Sequence, residues 1–113
     1  MKNNPYIEKV LAHPYIFTKE EDIYGKQGKW CEYFENDHAL VLEIGTGHGN
    51  FFSSEVHDHP EKNYIGMEIK YKRLYSTAEK CLGNKSNYAQ SSGTDTTNFV
   101  LLKEYGQKIG TIF

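Results

Sequence analysis

Leu42-Glu43-Ile44-Gly45-Thr46-Gly47-His48-Gly49 is the stretch that decides the fold. The apolar run Ala39-Leu40-Val41-Leu42-Glu43-Ile44 leads into it with almost no polar alternation, the pattern of a strand covered on both faces in a parallel sheet. Three glycines at alternate positions then end the run. They let the backbone turn sharply and let a ligand lie against it with no Cβ in the way. Asn50 to His57 suits a helix that stops near His59-Pro60, because the residue before a proline avoids the helical region.

Outward from this unit the pattern repeats. Asn63-Tyr64-Ile65-Gly66-Met67-Glu68-Ile69 reads as a second strand. Tyr71 to Leu82 reads as an amphipathic helix with Leu74, Ala78, Cys81 and Leu82 on one stripe and Gly83 as its cap. Strand, helix, strand and helix in succession make a right-handed βαβ unit, so the fold class expected is α/β, with a mostly parallel sheet of about three to four strands and flanking helices. A third strand is due at Ser86 to Gly93, although branched apolar residues are scarce there. Thr96 to Tyr105 reads as a helix capped by Thr96 or Thr97, and Lys108 to Phe113 as a fourth strand with an open edge. Before the central unit, Pro5 to His13 suits a short helix, Lys19 to Lys29 a loop, and Trp30 to Phe34 one or two helical turns. Residues 1–38 are therefore expected to form a helical and loop extension, and 39–113 the α/β body.

Composition narrows the function classes. The 113 residues carry 13 Lys+Arg against 15 Asp+Glu, a net charge of −2, which excludes a strongly basic nucleic-acid coat but not a local basic patch. Aromatic residues make up 14%, so the core is expected to lean on large rings. No apolar run approaches the ~20 residues that span a bilayer, and the N-terminus is polar from the outset. Cys31 and Cys81 have no CxxC partner and read as reduced thiols. A cytoplasmic protein without membrane contact is the expectation.

The chemistry resides in the glycine loop and Glu68. An acid at the tip of the second strand, roughly twenty residues beyond the first glycine, accepts hydrogen bonds from ribose hydroxyls in nucleotide folds. Gly45, Gly47 and Gly49 with Glu68 therefore describe a nucleoside-containing ligand at the carboxyl ends of parallel strands; as a bland alternative they are only turn glycines and a solvated strand end. A dinucleotide fold uses G-x-G-x-x-G, whereas here the spacing is G-x-G-x-G and Asn50 takes the third glycine's place. Glu43, an anion just before the loop, suits a cationic ligand such as S-adenosylmethionine better than a pyrophosphate.

The runs Leu42-Glu43-Ile44-Gly45-Thr46-Gly47-His48-Gly49-Asn50-Phe51 and Asn63-Tyr64-Ile65-Gly66-Met67-Glu68-Ile69-Lys70-Tyr71-Lys72-Arg73-Leu74 together resemble the bacterial tRNA (guanine-N7-)-methyltransferase family. The likeness covers about His13 to Phe113 and is weakest across 84–97. It implies a Rossmann-like methyltransferase fold, S-adenosylmethionine as cofactor and tRNA as partner, with the methyl group going to guanine N7. By resemblance, Glu43 and the loop Gly45, Thr46, Gly47 and Gly49 form the wall beside the methionine part, Glu68 holds the ribose, Ile69 is a further cofactor-binding residue, and Asp95 sits beside the adenine. The departures are His48, where the family commonly has lysine, a polar third strand, and an end at Phe113 before the family's Asn-Phe-Ser-Asp-Pro-Trp-Pro-Lys-type motif. The catalytic residues are thus unassigned, and 39–113 is expected to be the N-terminal half of the domain, with weak or no activity alone.

Other features are weaker. His57 and His59, if helical, point about 200° apart and cannot share a metal, so no metal site is expected. Lys70, Lys72, Arg73, Lys80 and Lys85 form a basic cluster able to touch RNA phosphates or simply to solvate a helix face. Two alternative functions stand beside methyl transfer. One is a non-catalytic cofactor-binding module that forms a homodimer through the open fourth strand. The other is a nicotinamide-dependent oxidoreductase.

Overall fold

The computed structural model describes residues 4–83 and 97–113. Four parallel strands form one sheet in the order β1-β4-β3-β2, with β1 at Ile16–Phe17, β2 at Ala39–Ile44, β3 at Lys62–Glu68 and β4 at Phe99–Lys103. The helices are α1 (Pro5–Leu11), α2 (Glu20–Tyr24), α3 (Trp30–Phe34), α4 (Asn50–Asp58), α5 (Tyr71–Cys81) and α6 (Ile109–Ile112), with a 3₁₀ turn at Gly106–Lys108. Among the described residues no helix is long and apolar enough to cross a membrane.

Alternation along the strands sends side chains to two separate cores. Tyr64, Phe99 and Leu101 face one side and meet Val10 of α1, Phe52 and Val56 of α4, and Leu74, Ala78 and Cys81 of α5. Ile65, Met67, Val100 and Leu102 face the other and meet Ile23 of α2, Trp30 and Phe34 of α3, and Ile112 of α6. Each such fully buried side chain contributes about 1.5–3 kcal/mol of transfer free energy. The apolar stripe of α5 falls at Leu74, Thr77, Ala78 and Cys81, the i, i+3, i+4, i+7 spacing of a helix with one covered face. At the other end of the chain, Asn4 caps α1 by accepting the Tyr6 amide at 2.9 Å, and Pro5 occupies the first turn.

Several expectations change. Phe99–Lys103 is a strand, not part of a helix from Thr96 to Tyr105, because Phe-Val-Leu-Leu is buried on both faces between β3 and β1. Lys108 to Phe113 is not a fourth strand. It turns through the 3₁₀ segment into α6, which Trp30 anchors by donating Nε1–H to the Ile112 carbonyl at 2.9 Å. A homodimer edge there has no strand to use. Glu20–Tyr24 is a helix inside the segment read as a loop, and Ile16–Phe17 is a short strand with no counterpart in the sequence reading. β2 is not covered on both faces: it lies last in the sheet, and Leu40 and Ile44 are 41% and 53% exposed. The strand expected at Ser86 to Gly93, and Asp95, lie outside the described residues.

Candidate functional site

All four strands run the same way, so β2, β3 and β4 deliver their carboxyl ends to one rim. The loop after β2 begins by continuing the ladder: the amides of Gly45 and Thr46 both donate to the Met67 carbonyl, at 2.7 and 3.2 Å. Gly45, Gly47 and Gly49 then take φ values of 74°, 59° and 88°, a left-handed path that L side chains rarely adopt. A Cβ placed on Gly45 or Gly47 would meet nothing within 4 Å, so the backbone presents open space on that side. Gly49 is different, because a Cβ there would collide with Thr77 of α5.

Glu68 ends β3 and is 7% exposed. Its Oε1 accepts the Gly47 amide at 2.9 Å, and its Oε2 accepts the amides of Ile69 and Lys70 at 2.9 and 3.1 Å. Three backbone donors therefore fix the carboxylate against the glycine loop and the start of α5. A carboxylate offers about four lone-pair positions, which leaves one free on Oε1 for a ligand hydroxyl. Thr46 sits beneath the loop, its methyl group packed where Gly66 lacks a Cβ, and its buried Oγ1 has no hydrogen-bond partner among the described residues.

Glu43 stands opposite Gly66 in the ladder and is half-buried. Burial and the neighbouring Glu55 carboxylate hold its carboxyl above the usual carboxylate range. It also adds to the effect of burial on Cys81, whose thiol is pushed up to about 12. Glu43 thus lies within electrostatic reach of Glu55 on α4 and Cys81 on α5, while Glu68 bonds to the loop.

The structure brings Glu43, Gly45, Thr46, Gly47, Gly49, Glu68 and Ile69 together at the rim; Asp95 is outside the described residues. What ends β4 instead is Glu104, which accepts a hydrogen bond from the Tyr24 hydroxyl and the Tyr105 amide at 2.8 Å. The Glu104 contact raises Tyr24 to about 12. Sequence reasoning missed Glu104 because it placed the residue in a helix, yet Leu-Leu-Lys-Glu repeats the apolar-run-then-acid form of the other two strands. It also missed Ser76 and Thr77 of α5 and read Lys80 only as part of a basic cluster, whereas all three grip the loop from behind. Their oxygens and ammonium donate to the carbonyls of His48, Gly47 and His48 respectively. Among the described residues no cluster of His, Cys, Asp or Glu is arranged to hold a metal.

Comparison with known proteins agrees with this geometry. The family model described as "Putative methyltransferase" matches residues 37–108. A bifunctional glycosyltransferase/methyltransferase of Fusobacterium nucleatum is 43% identical over 79 residues, covering 69% of this chain and 12% of that protein. A tRNA (guanine-N(7)-)-methyltransferase of a Geobacillus species is 35% identical over 104 residues, 88% of this chain and 46% of that protein. Another from Christiangramia forsetii is 35% identical over 82 residues, 72% and 36%. The chain thus spans less than half the length of these curated relatives. With the βαβ body from β2 to the end of β4 inside the matched region, and the glycine loop and Glu68 at its rim, the chain belongs to this methyltransferase family.

Proposed function

We propose that this chain supplies the cofactor side of an S-adenosylmethionine-dependent methyl transfer to guanine N7 of tRNA, acting in the cytoplasm. The observation that carries the reading is the bond between Glu68 Oε1 and the Gly47 amide, which aims a buried acid and an unobstructed glycine backbone at one space. The residues fit the cofactor. Glu68 keeps an acceptor position for a ribose hydroxyl, Gly45 and Gly47 leave room beside the main chain, and Glu43 adds negative charge near a sulfonium and ammonium. When bound, the cofactor supplies an activated methyl group on sulfur.

The chain's own residues orient that group. Methyl transfer depends mainly on in-line placement, so the three-point hold on Glu68 matters because it removes rotamer freedom before the ligand arrives. Lys70 and Lys72 are exposed beside this rim, and Lys103 lies with its ammonium 4.7 Å from the Tyr71 ring centre. They are the residues we assign to phosphate contact, a salt-dependent and sequence-independent attraction.

Calorimetry with S-adenosylhomocysteine and with NAD tests the cofactor. Binding of the first and not the second is expected, and binding of NAD alone overturns the reading. Incubation with tRNA and methyl-labelled cofactor, followed by mapping of the labelled base, tests the substrate; label on guanine N7 is expected, and label on a base other than guanine overturns it.

A further inference from the structure

We propose that Thr77, on the covered face of α5, is a positioning residue that sets the Gly47 peptide, and through it the cofactor site, from behind the loop. The proposal rests on the cofactor reading above. Thr77 is fully buried, and its hydroxyl donates to the Gly47 carbonyl at 3.2 Å. The same residue fills the space beside Gly49, where a Cβ would lie 2.5, 2.6 and 2.7 Å from Thr77 Oγ1, Cα and Cβ. One side chain therefore meets the loop at two of its three glycines.

On the other side of the loop, the Gly47 amide donates to Glu68 Oε1 at 2.9 Å. Gly47 stands between Thr77 behind and Glu68 in front, with its carbonyl committed to one and its amide to the other. The two anchors belong to one rigid piece. Glu68 accepts the amides of Ile69 and Lys70, the residues that lead directly into α5, and Thr77 lies on the second turn of that helix. The acid and the loop are therefore both referenced to α5, which is how a supporting shell keeps a binding constellation within the tolerance that affinity requires.

Ser76 and Lys80 add contacts to the same loop: Ser76 Oγ donates to the His48 carbonyl at 3.1 Å, and Lys80 Nζ to the His48 carbonyl at 2.9 Å and to Asn50 Oδ1 at 2.8 Å. These three bonds are exposed, so water replaces them at little cost. The Thr77 bond is part-buried, and its loss leaves the Gly47 carbonyl short of its protein partner.

Thr77→Val exchanges the hydroxyl for a methyl of the same shape and keeps the packing against Gly49. It is expected to weaken S-adenosylhomocysteine binding, read by calorimetry, about tenfold. In the ligand-free protein it should speed deuterium exchange of the Gly47 amide by a similar factor while the amides of β3 stay protected. Thr77→Ser, which retains the hydroxyl, should restore both. Thr77→Ala serves as a second hydroxyl-free variant in case valine perturbs folding. Wild-type affinity and unchanged Gly47 exchange in a folded hydroxyl-free variant overturn the proposal. A wild-type chain that binds no S-adenosylhomocysteine overturns the cofactor reading instead. The ligand-free exchange of Gly47 then still decides whether Thr77 holds the loop.

Discussion

Glu68 and Gly47 are joined across the rim of the sheet by a 2.9 Å hydrogen bond, with the carboxylate's other oxygen taking two further amides. Glu68→Gln tests what the second acid oxygen does. An amide group in the same place presents N–H toward at least one backbone N–H that now donates to Glu68. The variant should lose about 1–3 kcal/mol of stability in urea titration and most of its affinity for S-adenosylhomocysteine. Retention of both would show that the three amides need no anion.

Gly49 and Gly45 both have positive φ, yet only Gly49 has a neighbour in the way. Gly45→Ala should cost about 1 kcal/mol, the penalty of the left-handed region alone. Gly49→Ala adds a backbone collision with α5 and should cost about 2–4 kcal/mol. Denaturation midpoints of the two variants settle it, and equal losses would remove Thr77 as the cause.

His13 ties the chain between α1 and β1 to α5. Its Nδ1 accepts the Tyr15 amide at 3.2 Å, so Nε2 carries the proton and donates to Glu79 at 3.3 Å. Burial lowers its pKa below 6.5 despite Glu79, so the unfolded chain takes up a proton before the folded one does. Stability is therefore full above 6.5 and falls as the pH drops below that value. His13→Asn keeps an acceptor for Tyr15 but does not titrate; it should flatten this part of the profile, measured by denaturation between pH 8 and pH 5.

Cys31 is exposed and Cys81 is buried with its thiol pushed up to about 12. A thiol reagent at pH 8 should modify one cysteine quickly and the other only on unfolding. Cys31→Ser should abolish the fast phase, since the thiolate is the reactive form. Two fast phases would contradict the burial of Cys81 against α4.

The centre of the fold was legible because its signals are local. Ala39–Ile44, Asn50–Asp58, Lys62–Glu68 and Tyr71–Cys81 each carry their own period or their own glycine punctuation, and the elements formed within a residue or two of where these end. Phe99–Lys103 was misread because a short apolar run preceded by threonines is equally a capped helix, and only its seat between β3 and β1 makes it a strand. Ile16–Phe17 has too few residues to show a period, since β4 alone assigns it. In the site, Glu68 and the glycines announced themselves by type and spacing. Thr77 did not, because a threonine on an apolar stripe looks like filler until the tertiary fold lays the loop against it.

The short strand β1 also guards the sheet. Ile16 and Phe17 pair with Leu101 and Leu102, so residues from the start of the chain cover one flank of the most apolar strand. β4 follows β1 in sequence by way of β2 and β3, so its flank toward β1 is closed by folding back a segment made long before it. Until that closure, Phe99-Val100-Leu101-Leu102 offers bare amides and carbonyls on a wholly apolar segment, the kind of edge that recruits other chains. Cutting away the segment before Thr18 would therefore expose a self-association surface on β4 and also strip α1 and His13 from α5, and aggregation would be the first sign of trouble.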